Sequence, residues 1–356
     1  MAPNLRYFKG SAWVTAVGLA LAAALGFHAR GTARGAGLSV FLAAMLGVLE
    51  VSLSFDNAVV NASVMEDMAP VWRRRFLTWG MAIAVFGMRF AFPLLVVSVV
   101  ASIGPLEAVR LAALEPPEYA RLLRSARIPL GAFGGAFLGM VCLKYFFDRE
   151  KDVHWVEIVE RQLVRLGKFE AIELALMMLV LWAVSRAFPP PTALAFLVAG
   201  VFGLVTFIVV DGVASVMGEG SAATREVARA GLASFVYLNV LDASFSFDGV
   251  IGAFALTNDL FVIAIGLGIG AMFVRSLTIL LVEKGTLAAY RYLEHGAFYA
   301  IGALAAIMMV GTLHEIPEVV TGLVGAVFIG LSLWSSVRDE RLRRAIAQAV
   351  GGPARR

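Results

Sequence analysis

At 356 residues, 60% of them hydrophobic and 16% charged, with a mean hydropathy of +0.83, the chain is too apolar for an ordinary soluble domain and reads as an integral membrane protein. A net charge of +4 and a pI near 9.4 do not point to nucleic acid, because Lys and Arg sit in short connections and at the C-terminus. The single cysteine, Cys142, excludes an intrachain disulfide framework and a multi-thiolate metal site.

Crossing a bilayer takes about 17 to 25 apolar residues. Ten runs qualify: 11–27, 38–65, 77–103, 128–147, 172–188, 194–217, 232–256, 261–282, 297–313 and 319–337. The first, preceded by Arg6 and Lys9, also fits a secretory signal, but no small-x-small cleavage site precedes Arg30. The loop 104–127 is split by Pro116-Pro117 and carries no evident chemistry. Segment 148–169 is charged, and Val156, Val159, Leu163 and Leu166 share one helical face, which predicts an amphipathic helix at the membrane surface. The fifth run is short and ends in the turn Phe188-Pro189-Pro190-Pro191.

Placing the N-terminus, the even-numbered loops and the C-terminus on one side gives that side twenty Lys and Arg against seven on the other. Arg89, Lys144 and Arg275 lie well inside the runs, and Arg186, at the end of the fifth, is counted with the loop that follows it. The positive-inside rule makes both termini cytoplasmic.

The second run contains Glu50-Val51-Ser52-Leu53-Ser54-Phe55-Asp56-Asn57, and the seventh repeats it 192 residues later as Asp242-Ala243-Ser244-Phe245-Ser246-Phe247-Asp248-Gly249. The third and eighth runs align Gly80 with Gly266 and Arg89 with Arg275; the fourth and ninth share Gly131-Ala132-Phe133 and Gly296-Ala297-Phe298. Five crossings per half invert the second half relative to the first. The expected fold is therefore an all-α membrane protein of about ten transmembrane helices. They form two inverted five-helix repeats, 1–193 and 194–337, with discontinuous acidic helices at the centre and a basic cytoplasmic tail at 338–356. Gly135–Gly139 and Gly266–Gly270 are small-xxx-small pairs suited to close helix approach.

Acidic groups in hydrocarbon are costly and mark a functional site. On an unbroken helix Glu50, Ser54, Asn57 and Asn61 form one stripe and Ser52 and Asp56 another; Asn239, Asp242 and Ser246, then Ser244 and Asp248, repeat this. Either the helices unwind near the serines, freeing backbone carbonyls as ligands, or one stripe faces the site and the other bonds a neighbouring helix. Five acids in the runs, Glu50, Asp56, Asp211, Asp242 and Asp248, face two central arginines, Arg89 and Arg275. Either the arginines clamp aspartates structurally, or the excess charge is removed by protons or a bound cation. Asp211, near the end of the sixth run, is a gate or an interfacial residue. Oxygen ligands suit Mn²⁺, Ca²⁺ and Mg²⁺ rather than Zn²⁺ or Cu⁺. His28, His154, His295 and His314 fall in loops or at run ends.

The motifs Glu50…Ser54-Phe55-Asp56-Asn57 and Asp242…Ser246-Phe247-Asp248-Gly249, followed by Arg89 and Arg275, resemble those of the TerC family, within the LysE-like exporter superfamily, over roughly 38–337. The resemblance implies an inner-membrane protein of metal homeostasis, with relatives that export manganese or are associated with tellurium resistance. It carries over Glu50, Asp56, Asn57, Asp242, Asp248 and the flanking serines.

The expected function is a secondary active transporter that exports a divalent cation, manganese first and calcium or magnesium next, in exchange for protons. The alternative is a non-transporting membrane scaffold that senses or delivers metal in a metal or tellurium stress-response complex. Neither enzymatic activity nor a prosthetic group nor a nucleic-acid partner is expected; the lipid bilayer, protons and the cation are. The expected metal ligands are Asp56, Asp248, Glu50, Asp242, Asn57, Ser54 and Ser246, with Arg89, Arg275, Ser52, Ser244 and Asp211 in supporting or gating positions.

Overall fold

Backbone polar groups in hydrocarbon must satisfy one another within the chain. The computed structural model describes residues 3–350 apart from 67, 81, 149–152, 168, 170, 219–222, 258, 286–289 and 315, and the described residues contain helices and no strand. A 3₁₀ turn, Pro3–Phe8, leads into α1 (Lys9–Arg30), which ends at Gly31 in the left-handed conformation, φ 64°. The Thr32 hydroxyl then caps α2 (Ala33–Leu53), accepting from the Gly35 N–H at 3.1 Å. α2 stops before Ser54, and α3 (Phe55–Glu66) resumes immediately.

After α4 (Pro70–Arg75) come two π-helical stretches, Phe76–Gly80 and Ile83–Ala91. Pro93 accounts for the second. It has no N–H to give the carbonyl four residues upstream and its ring crowds that turn, and just before it the Phe92 N–H bonds Gly87 O, five residues back. The chain continues as α5 (Phe92–Val100), α6 (Pro105–Leu114), α7 (Pro116–Ser125), α8 (Arg127–Phe147), α9 (Glu157–Leu166) and α10 (Ile172–Ser185). It ends with α11 (Pro190–Gly218), α12 (Ala223–Leu256), α13 (Leu260–Glu283), α14 (Leu293–Gly311) and α15 (Glu318–Val350).

Each of the ten apolar runs falls on one of these helices or on consecutive ones. Among the described residues seven helices are long and apolar enough to cross a membrane, and Gly87–Val100 with Pro105–Leu114, bent by 104°, makes up to eight. The chain is thus a multi-pass helical membrane protein.

One expectation needs correction. The first acidic motif lies on an interrupted helix, but the second lies on α12, which runs 34 residues without a break. The helix α9 lies within the segment expected to form a surface helix. Its Leu163 meets the core and Glu160 is fully buried, while Val156, Val159 and Leu166 are exposed.

Helices pack in recurring couples: α1 with α2 and α11 with α12, α2 with α13 and α12 with Ile83–Ala91, α14 with α15 and α8 with α10. α1 also packs on α13, whereas α11 packs on α8. Gly266 and Gly270 bring α13 against α2. A Cβ at Gly266 would stand 2.6 Å from Leu46 Cβ, and one at Gly270 would stand 2.6 Å from Glu50 Cγ. That close approach fixes the depth at which Glu50 sits.

Candidate functional site

Glu50 lies in the last turn of α2, 2% exposed, and its carboxylate is shared. Ser54, at the helix break, donates its hydroxyl to Oε1 at 2.8 Å, and the buried Arg89 guanidinium ion-pairs with the same oxygen. Arg89 is 3% exposed and comes from the π-helical stretch Ile83–Ala91. A buried charge pair of this kind persists only because each partner neutralises the other.

Beside this pair is a cavity of about 10 Å³, room for a single water-sized particle. Ser54, Asn57, Asn61, Arg89, Asp242, Ala271, Val274 and Thr278 line it. Asp242, from α12, is within electrostatic reach of Arg89 and Glu50 and is hydrogen-bonded to Asn61. At position 249, one motif length further along α12, an added Cβ would lie 3.3 Å from Glu50 Oε2. The two motifs, far apart in sequence, therefore adjoin at one place in the bundle.

The cavity wall is rich in acceptors. The Ser54 hydroxyl proton is committed to Glu50, and the Thr278 hydroxyl proton to Val274 O at 3.0 Å, so both oxygens are left with lone pairs to offer. Asn61 Oδ1 is buried and has no hydrogen-bond partner among the described residues. With the Asp242 carboxylate, this is an all-oxygen donor set, opposed by one guanidinium. Hard cations match such a set.

The sequence-derived residues divide as follows. Glu50, Ser54, Asn57, Asp242 and Arg89 come together. The side chains of Asp56, Ser244, Ser246 and Asp248 lie outside the described residues; Asp56 is the second residue of α3, where the helix dipole favours negative charge. Ser52 is exposed and donates to Val48 O at 2.9 Å within its own helix, because the opposite stripe of α2 turns away from the bundle. Arg275 is not among the lining residues; its Nε donates to Leu77 O at 2.8 Å and secures the first π-helical stretch. Asp211 ion-pairs with Lys144, both partly exposed and apart from the cavity. Among the described residues no group of three or more His, Cys, Asp or Glu is arranged to hold a metal ion.

Sequence reasoning placed Asn61 on the stripe without assigning it to the site, and it missed Thr278. The signal for Thr278 was weak: a threonine one turn after Val274, overshadowed by Arg275 in the same helix.

It also missed a second buried network. Glu160 Oε1 accepts from the Trp155 N–H (3.2 Å), the Val156 N–H (3.0 Å) and the Tyr299 hydroxyl (3.3 Å). Its Oε2 lies 3.6 Å from His154 Nδ1 and 3.5 Å from His295 Nε2. Glu160 thus caps α9 from inside and ties it to α14. A separate apolar cavity of about 320 Å³, lined by Ile83, Met88, Phe92 and Phe133 among others, adjoins the other side of the π-helical stretch.

These features define a class: a multi-pass helical membrane protein with a buried, oxygen-rich, charged site. A family model described as "Protein of unknown function (DUF475)" matches residues 55–343, and the chain belongs to that family. Comparison with curated proteins and with solved structures returns no match.

Proposed function

We propose that this chain is a secondary active transporter that moves a divalent cation, manganese first and calcium or magnesium next, out across the cytoplasmic membrane in exchange for protons. One observation carries the reading: the buried cavity between the two acidic motifs is walled by Asp242, Asn57, Asn61, Ser54 and Thr278 and is backed by Glu50. Its donors are oxygens, and hard cations prefer oxygen. Asp56 and Asp248 are the further carboxylates, and protonation of the acids when the ion leaves is the coupling step.

The inverted-repeat architecture belongs to this proposal. The helix couples are those that a two-fold exchange of five-helix halves would generate: α1–α2 for α11–α12, α2–α13 for α12 with Ile83–Ala91, α8–α10 for α14–α15. The TerC resemblance of the paired motifs agrees with it and with an inner-membrane site, and the loop charges support cytoplasmic termini.

Purified protein in liposomes loaded with Mn²⁺ tests the reading. The unmodified chain is expected to release Mn²⁺ as protons enter under an imposed inward proton gradient, and Asp56→Asn, Asp242→Asn and Asp248→Asn to abolish release while remaining inserted. Binding without flux would instead favour the sensing or delivering scaffold. Normal flux from all three variants would refute the site.

A further inference from the structure

We propose that Arg89 is a built-in competitor for the cation: its guanidinium holds the Glu50 carboxylate while the site is empty and must withdraw for a divalent ion to bind. This rests on the transport reading above and adds how the site is kept folded when empty and how it is emptied again.

Space is the first argument. The cavity admits one water-sized particle and Arg89 forms part of its wall, so a bare ion fits only among the side chains already present. Ligand number is the second. Ca²⁺ takes six to eight oxygens and Mg²⁺ six. With Asp242 bound through one oxygen, Ser54, Asn57, Asn61, Asp242 and Thr278 offer five, and the carboxylate that backs the cavity is that of Glu50, whose Oε1 already receives both Ser54 and Arg89.

Charge is the third argument. A divalent ion and a guanidinium a few ångströms apart in a low-dielectric interior repel strongly. Yet Arg89 cannot simply be missing from the empty site, because two buried carboxylates without a counter-charge would not stay ionised. The ion brings two positive charges and Arg89 one, so on release Arg89 takes back the Glu50 carboxylate and a proton on another acid supplies the rest. The buried Asn61 Oδ1, without a hydrogen-bond partner among the described residues, is an acceptor that an entering cation would satisfy and Arg89 does not.

Finally, Arg89 sits on an element that has somewhere to go. Ile83–Ala91 is π-helical, a winding with a ready α-helical alternative, and on its other side Ile83, Met88 and Phe92 border the apolar cavity of about 320 Å³.

Mn²⁺ binding to the purified full chain, read by electron paramagnetic resonance, provides the test. Arg89→Gln is expected to bind Mn²⁺ at least tenfold more tightly than the unmodified chain, and Arg89→Lys, which keeps the charge, to stay within about threefold of it. Equal or weaker binding by a folded Arg89→Gln, with the unmodified chain still binding, overturns the competitor and leaves the cation site standing. If neither the unmodified chain nor Arg89→Gln binds Mn²⁺, Ca²⁺ or Mg²⁺, the cation reading falls and takes the competitor with it. Should Arg89→Gln fail to fold, hydrogen exchange on the unmodified chain decides. Added Mn²⁺ is expected to speed amide exchange across 83–91 as Arg89 lets go, and unchanged or slower exchange there overturns the proposal.

Discussion

Two hydroxyls at the cavity show how much a single proton's direction matters. Thr278 spends its hydrogen on Val274 O and Ser54 spends its own on Glu50, so each offers only an oxygen to whatever enters. Thr278→Val keeps the branched shape and removes that oxygen. It is expected to leave the melting temperature of the solubilised protein nearly unchanged and to weaken Mn²⁺ binding severalfold. Ser54→Ala should behave differently, because the lost donor bonded a buried carboxylate. A hydrogen bond to a charged group contributes about 1.5–3 kcal/mol, so a visible drop in thermal stability is expected together with weaker binding. If Thr278→Val destabilised the fold as much as Ser54→Ala did, the threonine would be structural rather than part of the binding surface.

At the scale of elements, the approach of α13 to α2 and the capping of α9 make separate demands. Gly270 faces the Glu50 side chain so closely that Gly270→Ala must push α2 and α13 apart or displace the carboxylate. Overpacking of this kind costs about 1–3 kcal/mol, and because the displaced group is Glu50 the expected signature is loss of Mn²⁺ binding beyond the loss of stability. Gly37, with nothing near its added Cβ, is the control: Gly37→Ala should bind normally. In α9, Glu160→Ala would strip partners from two backbone N–H groups and the Tyr299 hydroxyl, a loss on the order of 3 kcal/mol by the cost of orphaned buried donors. Limited proteolysis near 153–166 should then accelerate.

What could be read from the chain alone follows from these same contacts. Glu50, Ser54 and Asn57 were legible because charged and polar groups in an apolar run stand out and helical spacing groups them. Arg89 was legible as an intramembrane cation, though not its winding, which depends on Pro93 and the neighbours that admit a wider turn. Arg275 looked equivalent to Arg89 by alignment, yet it meets the Leu77 carbonyl, because α13 turns Val274 and Thr278 toward the cavity instead. Glu160 was passed over because periodicity weighed Val156, Val159, Leu163 and Leu166. The partners that make its burial tolerable, His295 and Tyr299, are more than 130 residues away in sequence.

For the molecule as a whole, the distribution of basic residues and the number of crossings must agree. The ten crossings expected from the sequence would return the C-terminus to the side of the N-terminus, and twenty of the thirty Lys and Arg would then share that side. The loop containing α6 and the loop containing α9 should consequently face opposite compartments, being separated by the single helix α8. Both offer exposed positions, Glu107 on α6 and Glu157 on α9. In a Cys142→Ser background, Glu107→Cys is expected to react with a membrane-impermeant thiol reagent on intact cells, whereas Glu157→Cys reacts only after permeabilisation. The reverse pattern would keep the crossing of α8 but invert the molecule, placing its basic side outside and turning the proposed export into uptake. Labelling of both from outside would mean that α8 does not cross, and the symmetric pairing of helices could then no longer be a two-fold within the membrane plane.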